Sequence, residues 1–165
     1  MKKTLILIWI IIFFTGAHLN ADADNTGTQS INVSIQPIAE LKVSGSSASL
    51  VITDVEAGND PVAVSSTVAN YSISTNQSNK KITGSLLEGN TDPYTTLTIR
   101  LQAPGSGGSS VGEVILTAQP ADLVIGIPAG AYNNCSMTFK FSATIEAGII
   151  PSTAKTVVLT LTDSI

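Results

Sequence analysis

From Met137 onward, apolar and polar residues alternate. Met137, Phe139, Phe141, Ala143 and Ile145 share one parity, and Thr138, Lys140, Ser142, Thr144 and Glu146 share the other. Successive side chains of a strand point to opposite faces, so this run predicts one buried face and one wet face. A loop at 147–154 separates it from a second run, in which Val157, Leu159 and Leu161 alternate with Val158, Thr160 and Thr162. Together the runs predict two long strands of a half-buried antiparallel sheet that close the fold. Phe139, Phe141, Leu159 and Leu161 would form their core.

The same period recurs upstream. Residues 29–38 set Ile31, Val33 and Ile35 against Asn32, Ser34 and Gln36. Pro37 cannot donate to a ladder and so marks an edge, a kink or a switch between sheets. Leu41 and Val43 continue the pattern to a turn cluster at 44–47. Residues 49–55 predict a further strand and 62–64 a short one. Residues 70–75 turn Tyr71, Ile73 and Thr75 inward, and 76–79 reads as a four-residue hairpin turn. The return strand carries Ile82, Gly84 and Leu86 on one face. Runs at 95–102, 113–118 and 123–127 follow, the first with Leu97, Ile99 and Leu101 inward. About nine strands with no helical period predict an all-β fold, an immunoglobulin-like antiparallel β-sandwich, with a closed barrel as the architectural alternative.

The first residues change the picture of where this domain works. Lys2 and Lys3 precede an uncharged apolar stretch from Leu5 to Phe14, and small residues follow at Ala21 and Ala23. This order predicts a signal peptide at 1–23, cleaved after Ala23 or, as second choice, after Ala21. The apolar run is shorter than the roughly 20 residues a spanning helix needs, so no stable membrane span is expected after cleavage. A single domain at 24–165, secreted, periplasmic or at the cell surface, is the resulting expectation.

Charge and composition exclude several classes. Of 8 basic and 12 acidic residues, Lys2, Lys3 and Asp22 fall in the leader, which leaves a net charge of −5 beyond it. That balance argues against nucleic acid and anionic membrane surfaces as partners. The single histidine, His18, and the single tryptophan, Trp9, also lie in the leader. The rest of the chain therefore lacks the usual general base, both histidine-dependent nucleophile pairs and most zinc chemistry, so no enzyme is expected. Cys135 is the only cysteine. It reads as a small, partly buried residue at the start of its strand.

Few residues remain as candidate sites. Asp54, Glu56 and Asp60 gather oxygen ligands over one short loop, which calcium could use, although the spacing does not fit an EF-hand and Gly58, Asn59 and Asp60 also suit a plain turn. Tyr94 and Tyr132, expected in loops, are the candidate platforms for a sugar ring. Residues 104–110 are glycine-rich but lead into no helix and carry no lysine, so they form no phosphate cradle. Sequons at Asn32, Asn70, Asn76 and Asn134 matter only in a host that glycosylates them.

Three stretches together carry a family resemblance. They are the alternating strand Ser30-Ile31-Asn32-Val33-Ser34-Ile35, the pair formed by 71–75 and 81–86, and the closing runs 141–148 and 155–162. This layout resembles secreted bacterial pilin-like proteins, the coat-protein-U-type and colonisation-factor-type fimbrial subunits. Those families often carry paired cysteines and an aromatic residue near the C-terminus, which this chain lacks. The resemblance implies an immunoglobulin-like sandwich that self-associates by β-strand addition, with a periplasmic chaperone and an usher as partners. It implies Ile31, Val33 and Ile35 as the donated side chains. The alternative for 29–38 is the first strand of a complete, self-contained sandwich. The alternative function is an extracellular binding or adhesion module, for glycans or calcium-dependent, on such a sandwich.

Overall fold

The computed structural model describes residues 27–89, 92–105 and 107–164. The predicted leader and its cleavage site lie outside the described residues. The chain divides into two units, Met1–Ser34 and Ile35–Ile165. In the first, residues 27–34 belong to no strand and are exposed.

Among the described residues the second unit is an antiparallel β-sandwich of nine strands. In chain order these are β1 (Ala39–Gly45), β2 (Val64–Thr75), β3 (Lys80–Leu86), β4 (Thr95–Leu101), β5 (Ser109–Ser110), β6 (Val114–Ile115), β7 (Ala121–Ile127), β8 (Gly130–Ala143) and β9 (Val157–Asp163). One sheet has the order β1-β2-β8-β4-β6 and the other β5-β7-β3-β9. The alternation expected from the sequence sets the core. Tyr71 and Ile73 of β2, Ile82 of β3, Ile99 and Leu101 of β4 and Met137 of β8 are buried between the sheets. Burying each such side chain fully contributes about 1.5–3 kcal/mol. On β7 both Leu123 and Val124 are buried. Its ladder with β3 slips around Ile82, and a slipped register breaks strict alternation.

Several expectations about pairing are corrected. The two closing runs do not pair with each other: β8 lies between β2 and β4, whereas β9 pairs with β3 in the opposite sheet. Residues 76–79 are likewise no hairpin turn but an arch between sheets, because β2 pairs with β1 and β8 while β3 pairs with β7 and β9. Their apolar faces meet across the core instead of lying side by side. Asn79 supplies the reversal with a left-handed φ of 57°, a conformation asparagine tolerates better than most residues. Residues 49–55 form no strand. Alternation alone gives a strand nothing to pair with, and β1 has already ended at Gly45, where φ is 106°. The run predicted at 113–118 shrinks to the two residues of β6, and Ile145 leaves its strand for a single 3-10 turn at Ile145–Ala147.

Tyr71 is fully buried, and its hydroxyl donates to the carbonyl of Gln102. Burial, reinforced by Cys135 beside it, pushes its pKa well above the ordinary tyrosine value. The folded state therefore keeps a proton that the unfolded chain loses above pH about 10. The contribution is complete below that pH and lost as the pH rises further. Urea titrations across the alkaline range should show stability falling above pH about 10, and Tyr71→Phe should make that decline shallower.

Candidate functional site

One margin of the sandwich is left open. Of the four sheet edges, β6 and β5 form two; β1 forms the other edge of the five-stranded sheet and β9 that of the four-stranded one. The two edges come close to one another on the same side of the molecule. On β1, Leu41 stands opposite Ile73 and Val43 opposite Tyr71, so both belong to the inward face. Yet Val43 is 51% exposed and Leu41 only half-buried. On β9, Val157, Leu159 and Leu161 stand opposite Leu86, Gly84 and Ile82, and they too face the core while remaining half-buried. An inward face that stays wet lacks a covering strand. The free side of β9 has no ladder partner among the described residues, and such an edge offers a row of unpaired backbone donors and acceptors.

The margin is held in shape at its middle and at one end. Gly84 lets the core pack closely behind it: a Cβ there would lie 2.5 Å from Leu123 Cδ1 and 3.3 Å from Leu159 Cδ2. At the far end of β9, Lys80 points inward and is 5% exposed. Its ammonium donates to Asp163 Oδ1 at 2.6 Å. Asn79 and Ser164 exchange two further bonds there, from the Ser164 amide to the Asn79 carbonyl and from Asn79 Nδ2 to the Ser164 carbonyl.

The three side chains expected to be donated are all exposed: Ile31 by 77%, Val33 by 88% and Ile35 by 83%. Residues 29–38 belong to neither sheet, in contrast to the strand expected from their alternation. Near their end, Asn76 makes three bonds. Its side-chain Oδ1 accepts from the Ile38 amide at 2.7 Å, its Nδ2 donates to the Gln36 carbonyl at 2.9 Å, and its own amide donates to the Ile38 carbonyl at 3.3 Å. Sequence reading missed this residue because it looked like ordinary turn chemistry. The available signal was its position opposite Ile38, next to Pro37, once β1 and β2 are set in register.

Asp54, Glu56 and Asp60, the residues expected for calcium, stand apart from one another as ligands. Among the described residues no three metal-ligating side chains come together. Asp60 Oδ1 accepts from the Ile145 amide at 3.0 Å, and Glu56 Oε2 accepts from Asn59 Nδ2 at 3.3 Å. These carboxylates close the loop around a hollow of about 510 Å³ lined by Val55 to Asp60 and Ile145. Tyr132 lies within β8 rather than in a loop, half-buried, with its hydroxyl bonded to the Pro128 carbonyl. Of the two expected sugar platforms, only Tyr94 is exposed. Cys135 is buried and free.

The outer face of the five-stranded sheet is polar. Thr98 donates to Glu113 Oε1 at 2.9 Å, and Lys140 pairs with the same oxygen at 3.2 Å. Both bonds, the threonine's first, hold the Glu113 carboxyl below its usual range. The partners are partly exposed, which makes this a solvated surface pair of small energetic weight.

Comparison with protein-family models, with curated proteins and with solved structures finds no match.

Two substitutions check how the margin is built. Gly84→Val should displace Leu123, and Leu159 with it, and lower the unfolding free energy by about 1–3 kcal/mol, read from the urea midpoint. Asp163→Ala leaves the buried Lys80 ammonium without its ion pair. It should lower stability by about 1–3 kcal/mol by the same measurement.

Proposed function

We propose that the chain is a non-enzymatic structural subunit of the pilin-like kind, exported across a membrane, that assembles by β-strand addition. Residues 29–38 of one copy lie along β9 of the next, and Ile31, Val33 and Ile35 enter the margin between β1 and β9. The single observation that carries this reading is a match of two unsatisfied parts. A row of exposed apolar side chains alternates on an unpaired segment, and an inward apolar face with a free strand edge is uncovered elsewhere on the same molecule.

The dimensions agree. Alternate residues of a strand are about 6.6–6.8 Å apart, so Ile31, Val33 and Ile35 share the spacing of Val157, Leu159 and Leu161. Antiparallel pairing along β9 satisfies backbone groups that are otherwise left to water. Three aliphatic side chains at about 1.5–3 kcal/mol each are enough to offset the ordering of a short segment. Until a neighbour arrives, the same margin is a hazard for unspecific pairing. A periplasmic chaperone that lends a strand, and an usher that exchanges it, fit that need. The absence of histidine beyond His18 supports the non-enzymatic part.

Deletion of residues 24–36 should leave a folded monomer that no longer assembles, as seen by sedimentation. An unfolded or aggregating product would show instead that the segment is integral to the sandwich. A point substitution gives a finer test. Val33→Asp changes an exposed side chain and should shift the subunit's own stability by no more than about 0.5 kcal/mol. It should weaken assembly roughly 10- to 100-fold, because the burial of that side chain is lost. Full-length protein that stays monomeric under all assembly conditions would overturn the reading.

A further inference from the structure

We propose that Asn76 is a clamp that commits residues 29–35 to a neighbouring copy by preventing them from filling the margin of their own subunit. The inference rests on the strand-addition reading and adds to it the residue that decides between the two destinations.

The argument starts from register. β1 and β2 pair from Ala39 opposite Thr75 to Gly45 opposite Ala69. One step further, Ile38 faces Asn76, and there the ladder changes character. The Ile38 amide donates to Asn76 Oδ1 at 2.7 Å instead of to a backbone carbonyl. Asn76 Nδ2 donates to the Gln36 carbonyl at 2.9 Å. The side-chain amide thus bridges the position of Pro37, which has no N–H to offer. Pro37 also biases Gln36 toward an extended conformation. Residues 36–38 are therefore held as a straight continuation of β1, on backbone and side-chain bonds together.

Strand directions make the consequence specific. β1 runs antiparallel to β2 and β3 runs antiparallel to β9, and the arch at 76–79 reverses the chain between β2 and β3. β9 therefore runs in the direction of β2, opposite to β1. To fill the margin of its own subunit, the segment would have to fold back on β1 by a reversal at 36–38. It would then run parallel to β9. The reversal breaks the bonds to Ile38 and Gln36, and the parallel ladder is slightly weaker per residue. A second copy meets neither obstacle, because its segment can approach β9 antiparallel while its own Asn76 clamp stays closed.

The test uses the full chain with Asn76→Ala and Asn76→Asp. Sedimentation measures the ratio of assembled to monomeric protein, limited proteolysis within 29–36 asks whether that segment is covered, and circular dichroism melts monitor the fold. Asn76→Ala removes both side-chain bonds and should lower the assembled-to-monomer ratio roughly tenfold or more, given the usual net worth of such bonds. The monomers gained should resist cleavage within 29–36, since their own margin holds the segment. Asn76→Asp keeps the acceptor for Ile38, loses the donor to Gln36 and should lower the ratio about fivefold. It serves as the deciding variant if Asn76→Ala melts before assembly can be measured. If wild type and the folded variants assemble alike, or the monomers gained are cleaved as readily as wild type, the clamp is overturned while strand addition stands. If wild type itself never assembles, both fall together.

Discussion

A strand in a sandwich has two requirements, a partner along its backbone and a cover over its inward face. Both requirements are left unmet at the margin between β1 and β9. β1 is paired with β2 but uncovered, which is why Val43 sits opposite buried Tyr71 and still meets water. β9 is paired with β3 on one side and with nothing among the described residues on the other. The alternation that places Leu159 and Leu161 toward the core leaves them half-buried for the same reason. The rest of the sandwich is organised normally, with Tyr71, Ile99, Leu101 and Met137 closed between the sheets.

The restraints around that margin are local and mostly polar. Lys80, Asp163, Asn79 and Ser164 tie the end of β9 to the start of β3. Gly84 lets Leu123 and Leu159 close the floor. Asn76 fixes the entry into β1. A strand held on one side only opens more readily than one in mid-sheet. Anchoring its end and its floor keeps the apolar face ordered without occupying it. The loop at the opposite end uses its carboxylates differently: Asp60 and Glu56 bind amide donors of the loop and of Ile145.

Alternation made much of the fold legible. The inward residues of β2, β3, β4 and β8 could be named from parity, because the period of two is a property of the backbone and survives any arrangement of strands. So could the burial of Cys135. The exposed row Ile31, Val33 and Ile35 was legible as a row, but not as an unpaired one. The strand expected at 49–55 and the strand expected at 29–38 failed for one reason: a pattern states which side chains could face a core and says nothing about whether a partner backbone is there.

Pairing was therefore decided by the tertiary structure alone. The turn at 76–79 and the runs that end the chain look like neighbours in the sequence, yet each joins strands of opposite sheets, because apolar faces of this size gain more by meeting across a core than by lying edge to edge. The bonds of Asn76 to Gln36 and Ile38 are the same lesson at the scale of one residue. Its amide is useful only where the β1–β2 register brings it beside Pro37, 39 positions away in the chain. The sequence by itself determined which faces are apolar and that the fold is all-β. The packing of five strands against four determined which of those faces stays open.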